Sequence, residues 1–260
     1  MICNYSNTSI YRVKSLLLLL FTLLLLPVQS IAITKQDADK AYQTGSYQQA
    51  IIDYQALLKI GVSADIYYNL GNAYYRSDSL SQAILAYERA LRLSPGDRDI
   101  SFNLQFARSK TIDKLMPQDD VVFTTWYHSI VNLTSADNWA VLSIVTIILA
   151  LILMLVYLFA PQMFMRKAGF FGGLAFLLIF GLSNLFAWTQ KRILLEQKGA
   201  VIMAPSVNVK KTPVSNGADV FILHEGTRVE VTDGSIPHWT GIRLSDGREG
   251  WMPSGQLEMI

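Results

Sequence analysis

The sequence predicts a multidomain membrane protein made of an all-α repeat solenoid, a two-helix transmembrane hairpin and a small all-β barrel. Three observations carry that expectation. Residue types recur 33 to 34 positions apart in the first half of the chain. Two uncharged apolar runs of membrane-crossing length follow. Residues 198–260 then break into short alternating runs divided by turn formers.

The bulk composition agrees. With 51% hydrophobic and 16% charged residues, the 260-residue chain is too apolar for an ordinary soluble protein. The formal net charge is +2, and acids balance bases within each polar segment. No basic face suits a nucleic acid, so none is expected as a partner. A single cysteine, Cys3, excludes an intramolecular disulfide. His128, His224 and His238 are scattered without ligand spacing, so no metal or other cofactor is expected. No nucleophile motif, phosphate loop or paired carboxylates appear, and His224 beside Glu225 reads as a turn dipeptide. No catalytic residue, and no enzyme, is therefore expected.

Residues 1–32 read as a signal peptide. Arg12 and Lys14 precede the apolar run 16–26, Pro27 closes it, and Ser30-Ile31-Ala32 is a small-x-small cleavage pattern. The run is short against the roughly 20 residues a spanning helix needs, which favours cleavage over retention as an anchor.

Residues 33–111 hold the repeat. Ser46, Gln49, Ala50 and Tyr54 recur as Ser79, Gln82, Ala83 and Tyr87, and Asn69 and Leu70 recur as Asn103 and Leu104. Ser79 with Gln82, like Ser46 with Gln49, forms a capping-box pattern at the start of a helix. Gly71 and Ala83 would let two antiparallel helices cross closely, and Pro95 with Gly96 would end the second. In residues 64–95, Tyr67, Leu70, Gly71 and Tyr74 followed by Ala83, Tyr87, Ala90 and Pro95 resemble a complete tetratricopeptide (TPR) unit. Residues 33–60 resemble a less regular unit, and 98–109 a further first helix or a cap. The resemblance implies protein binding along the concave face of the first helices, at Asp65, Tyr68, Asn72, Tyr75 and Arg76.

Residues 112–135 form a linker with an amphipathic helix. Phe123, Trp126, Tyr127, Ile130 and Val131 fall on one face, rimmed by Thr124, Thr125, His128 and Asn132. The helix could lie on the membrane surface or pack on the repeat domain, and the spacing leaves both open.

The first transmembrane helix is expected at 136–160 and the second at 170–189. The turn at 161–169, carrying Arg166 and Lys167, is expected on the cytoplasmic side by the positive-inside rule. Lys191 and Arg192 argue the other way, but the signal peptide agrees with the first orientation. Trp139 and Trp188 mark the outer boundaries, and Gly169 with Gly173 would allow close packing within the hairpin.

In residues 198–260, strands are expected at 207–209, 219–223, 228–231, 240–244 and 250–252, with Asp246-Gly247 as a hairpin turn. Glu225-Gly226, Val229, Val231, Trp239, Ile242, Leu244 and Gly250-Trp251 resemble the bacterial SH3-like pattern. That resemblance implies peptide or cell-wall binding, with His238, Trp239 and Trp251 as a possible ligand groove. The residues alone leave open whether the two tryptophans are core or contact.

The order of modules is similar to the BatE-type family of the Bacteroides aerotolerance operons. The similarity implies an inner-membrane protein with both polar domains in the periplasm. It also implies partners among von Willebrand A-domain membrane proteins and a place in a stress-related envelope complex. The expected function is a scaffold for protein–protein interaction, with peptidoglycan recognition by the barrel as the alternative.

Overall fold

A computed structural model describes residues 33–115, 122–195 and 198–260, so the expected signal peptide and Cys3 lie outside the described residues. The repeat region opens with α1 (Lys35–Gln43), whose start is fixed reciprocally. Thr34 Oγ1 accepts from the Asp37 amide at 3.3 Å, and Asp37 Oδ2 accepts from the Thr34 amide at 3.0 Å. Next come α2 (Tyr47–Ile60), α3 (Ala64–Arg76), α4 (Leu80–Leu93) and α5 (Arg98–Arg108). Ser46 and Ser79 do stand at N-caps, but neither side chain makes a cap hydrogen bond. Their ψ angles near 60° and 71° depart from extended capping backbone, and Gln49 instead donates to Asp53 at 2.8 Å.

Small residues bring the helices together. A Cβ at Gly71 would stand 2.6 Å from the Tyr87 ring, so α3 and α4 cross only because that position is bare. Ala38, Ala50, Ala73 and Ala86 pack around Ile51, Tyr54 and Leu70 in one core. Within it, the Tyr54 hydroxyl donates to Asp39 at 2.6 Å and Asn69 donates to the same oxygen at 3.3 Å, joining α1, α2 and α3.

The C-terminal region is an antiparallel sheet of seven strands among the described residues. They are β1 (Gly199–Ile202), β2 (Ser206–Lys210), β3 (Asp219–His224), β4 (Arg228–Asp233), β5 (Trp239–Arg243), β6 (Glu249–Pro253) and β7 (Leu257–Met259). The spatial order is β3-β2-β6-β5-β4-β1-β7. Its core gathers Ile202, Val209, Leu223, Val229, Ile242 and Met252, all essentially sealed from solvent. The turn between β5 and β6 puts Gly247 at φ 87°, which a glycine adopts without cost.

Strands β1 and β7 were not expected, and they carry the contact with the repeat. Ala200 and Ile202 face the sheet core, whereas Val201 enters a second core with Ile84, Leu85, Tyr87, Leu104, Ala107 and Ile260. The sheet thus covers the faces of α4 and α5 that a further repeat helix would take. Polar contacts ring this interface. Arg89 pairs with Glu258 at 2.9 Å and donates to the Met259 carbonyl at 2.6 Å, and Arg92 donates to the Ile260 carbonyl. Glu88, buried on α4, is held by Arg108 and approached by Arg228 at 3.6 Å. Beyond α5, Asp113 accepts from the His224 amide and the Thr227 hydroxyl, each at 2.7 Å, with His224 Nδ1 at 3.0 Å. Thr34–Ile260 form one compact unit as a result.

Helix α6 (Val122–Val131) leads to α7 (Ala136–Phe159) and α8 (Met163–Leu195). The last two are long and apolar enough to cross a membrane. They pack as a hairpin. A Cβ on Gly169 would lie 2.7 Å from the Leu153 carbonyl oxygen, while one on Gly173 would make ordinary contact at 3.6 Å. Ser143 and Thr146 lie buried on α7 with their hydroxyls bonded to the helix's own carbonyls. The break spans only residues 160–162, so Arg166 and Lys167 already belong to the first turns of α8. Pro161 interrupts the helix, but Arg and Lys are good helix formers and the chain resumes at once.

Helix α6 meets the C-terminal part of α8. The Tyr127 hydroxyl lies 3.1 Å from Thr189 Oγ1, and its ring meets Phe186 edge-on. Val131 is fully buried, and its carbonyl accepts from Trp139 Nε1 at 2.9 Å and Gln190 Nε2 at 2.6 Å. Trp126, on the expected apolar face, is exposed. The side chains of Phe123, Thr124, Thr125 and His128 lie outside the described residues. Gly96 closes the junction: a Cβ there would stand 2.5 Å from the Leu133 carbonyl oxygen, so this glycine serves close approach to the segment before α7.

Candidate functional site

Helices α1, α3 and α5 line a groove of about 380 Å³. Of the sequence-predicted residues, Asn72, Tyr75 and Arg76 line it directly. Tyr68 lies one turn earlier on α3 and reaches its floor by a hydrogen bond. Asp65 stands at the opposite end of α3, about 16 Å from Arg76 along the helix axis, and does not line the groove.

The floor is a closed polar network. The Tyr87 hydroxyl donates to Asn72 Oδ1 at 2.7 Å, and Asn103 Nδ2 donates to Tyr68 Oη and to Asn72 Oδ1, each at 3.0 Å. Burial pushes the Tyr87 phenol well above its ordinary value, so it remains a donor at any physiological pH. These bonds tie α3, α4 and α5 together, which gives Asn72 a structural task in addition to its place in the groove.

The walls are aromatic. Phe102 and Phe106 stack with planes 8° apart and centroids 6.5 Å apart, and Tyr75 packs 5.7 Å from Phe106. Phe102 is 69% and Phe106 45% exposed, although both are large apolar rings on a concave surface. Tyr42 closes the α1 side. Cations stand at one end: Arg76 lies 5.0 Å over the Tyr47 ring, and Lys110 lies 5.2 Å over Phe106.

Sequence reasoning missed Tyr42, Phe102, Asn103 and Phe106 as groove residues. The repeat spacing could have found them. Phe102 and Phe106 lie 34 residues after Tyr68 and Asn72, and Tyr42 lies 33 before Tyr75. Residues 98–109 resemble either a further first helix or a cap, and only the first alternative contributes to the concave face, so that ambiguity hid these residues.

The residues expected to form a groove on the sheet are placed differently. Register pairs Trp239 with Pro253 and Gly241 with Trp251, so both tryptophans project from one face of the sheet. The opposite face carries Ile242 and Met252 into the core. Each tryptophan is half-buried and outside the buried cluster, and His238 is exposed at φ 66°. Among the described residues, no group of three or more His, Cys, Asp or Glu side chains could hold a metal ion.

A family model of the tetratricopeptide repeat matches residues 64–97, the α3–α4 pair and the turn after it. No curated protein matches the chain. Repeats of this kind are typically modules of protein–protein interaction, which suggests such a module in this part of the chain.

Proposed function

We propose that the chain is a membrane-anchored scaffold that holds partner proteins in the groove between α1, α3 and α5. The observation that carries this reading is the pair of exposed, stacked rings of Phe102 and Phe106 beside Tyr75 on a tetratricopeptide-type concave face. Two large apolar rings left in water are costly unless a partner covers them. The hairpin α7–α8 is the anchor in this reading, with the repeat and the sheet in the periplasm. We read the sheet as an SH3-like domain and the whole as a BatE-type protein acting in an envelope complex. Von Willebrand A-domain proteins of the same operon are the proposed partners, with a role in aerotolerance or stress.

The test is in-cell crosslinking of the tagged full chain, comparing wild type with Tyr75→Ala/Phe106→Ala. Both side chains are partly exposed, so the variant should stay folded. A reproducible set of inner-membrane proteins that disappears in the variant is expected; an unchanged set would sink the scaffold reading.

A second reading, recognition of peptidoglycan by the sheet, is favoured by the position of Trp239 and Trp251 outside the core. Aromatic rings on such a face can stack on sugars or peptides. Trp239→Ala/Trp251→Ala should then abolish sedimentation with purified peptidoglycan, whereas the groove variant should leave it intact.

A further inference from the structure

We propose that α8 carries a second helix-packing face, around Asn184, and that the α8 of another copy of this chain covers it, making the protein a dimer within the membrane. The dimer presupposes that α7–α8 is the anchor proposed above.

Polar side chains are few within the apolar stretches of the hairpin. Ser143, Thr146 and Ser183 are buried, and the first two bond to carbonyls of their own helix. Tyr157 is half-buried beside Phe170. Asn184 differs, because it is exposed although it lies inside the apolar stretch, four residues before Trp188. Its Nδ2 donates to the Phe180 carbonyl at 2.9 Å, which uses one of two amide hydrogens. The other N–H and Oδ1 have no partner among the described residues. Water would satisfy both, but hydrocarbon satisfies neither.

The neighbours of Asn184 on α8 form a seam. Leu174, Leu177, Gly181, Asn184 and Trp188 follow one another at spacings of 3, 4, 3 and 4, the repeat along which two helices wind around each other. All five are exposed. Gly169 and Gly173, which meet α7, lie on another face of the helix. A Cβ at Gly181 would meet nothing within 4 Å, so packing inside the chain does not require that position to be bare. Three residues before Asn184, it lets a facing helix come close enough for amides to meet.

The chemistry of the seam selects its occupant. An amide is donor and acceptor at once, so two of them related by a twofold axis satisfy each other, N–H to Oδ1 and back. Copies inserted with one topology present α8 parallel to α8, which sets Asn184 opposite its own counterpart at the same depth. The α7 of a neighbouring copy offers no such match, since Ser143 and Thr146 are turned inward near the corresponding end. A single polar pair in an apolar seam also fixes the register of the two helices.

The first measurement places the photocrosslinking residue benzoylphenylalanine in place of Leu177 or Ile179 in the full-length chain and irradiates native membranes. Position 177, on the seam, should yield a crosslinked dimer, and position 179, away from it, should not. Energy transfer between donor- and acceptor-labelled full-length chains in phosphatidylcholine vesicles then gives the protein density of half-dimerisation. Asn184→Leu and Gly181→Ile should each raise that density about tenfold, whereas Asn184→Gln should stay near wild type. Crosslinking between α7 and α8 within one chain should be unchanged in all three, which separates loss of the dimer from loss of the hairpin.

Dimerisation of Asn184→Leu at the wild-type density, or equal crosslinking from positions 177 and 179, would overturn the interface. A crosslink from position 177 to a different membrane protein, lost in Asn184→Leu, would overturn the second copy as occupant. A monomer that resists extraction by alkaline carbonate would sink the dimer and leave the anchor standing, whereas release by carbonate would sink the anchor itself.

Discussion

Asp113 shows how much one side chain can hold. Burial would raise its pKa, but the hydrogen bonds from His224 and Thr227 outweigh burial and keep the carboxyl below its usual range. A deprotonated carboxylate only accepts, so His224 Nδ1 carries the proton between them. Because the folded pKa is depressed, this contribution is complete above the ordinary carboxylate range near ~4 and is lost as pH falls below it. Hydrogen exchange of residues 225–227 should therefore be insensitive to pH-linked opening near neutrality and become faster than its intrinsic trend in acid. Asp113→Asn turns one acceptor oxygen into a donor facing other donors, which should cost about 1–3 kcal/mol and remove that acid dependence. An unchanged acid profile in Asp113→Asn would refute the assignment. Gly71 makes the opposite point, because its role was legible in the sequence. Gly71→Ala must displace the buried Tyr87 ring and should cost about 1–3 kcal/mol, read as a lower melting temperature of the full chain in detergent. Asp113 was not legible, since nothing in its neighbours foretells a partner more than a hundred residues away in the chain.

At the level of elements, the strands that sequence reasoning missed are those whose two faces serve two cores. An ordinary half-buried strand alternates apolar and polar, but Gly199–Ile202 sends Ala200 and Ile202 one way and Val201 the other, each into protein. The result is an unbroken apolar stretch with no alternation to detect. Leu257–Met259 is short for the same purpose, with Glu258 reaching back to Arg89. The same logic separates two glycines of the hairpin that look equivalent as a small-x-x-x-small pair. Gly169→Ala would force a methyl against the Leu153 carbonyl and the Tyr157 amide, backbone atoms that cannot rotate away, whereas Gly173→Ala meets only ordinary contacts. Disulfide crosslinking of cysteines engineered across α7 and α8 should therefore slow markedly in the first variant and stay as in wild type in the second. Equal rates in both would show that the hairpin does not pack through Gly169.

For the molecule as a whole, the shared core between sheet and repeat has a consequence for topology. A solenoid end exposes apolar surface unless something caps it, and here Val201 and Ile260 cover Ile84, Leu104 and Ala107. Each such side chain contributes on the order of 1.5–3 kcal/mol when buried. Helix α8, with 33 residues, is about 50 Å long and exceeds a bilayer core of about 30 Å, so as the proposed anchor it would deliver the sheet clear of the lipid beside the repeat. In the anchored reading proposed above, two helices crossing in opposite directions return the chain to the side it left, as the core between α4, α5 and β1 requires. Cysteines engineered at Ser94 and at Gly247 should accordingly label from the same side of the membrane. The absolute side is a separate matter, expected to be the outside from Arg166 and Lys167 at the other end of the hairpin. A membrane-impermeant maleimide should therefore label both positions in intact spheroplasts and spare a cysteine placed beside Lys167. Labelling of all three from inside would reverse the orientation while leaving the fold intact. Labelling of Ser94 and Gly247 from opposite sides would be a graver result, because no arrangement of the shared core survives it.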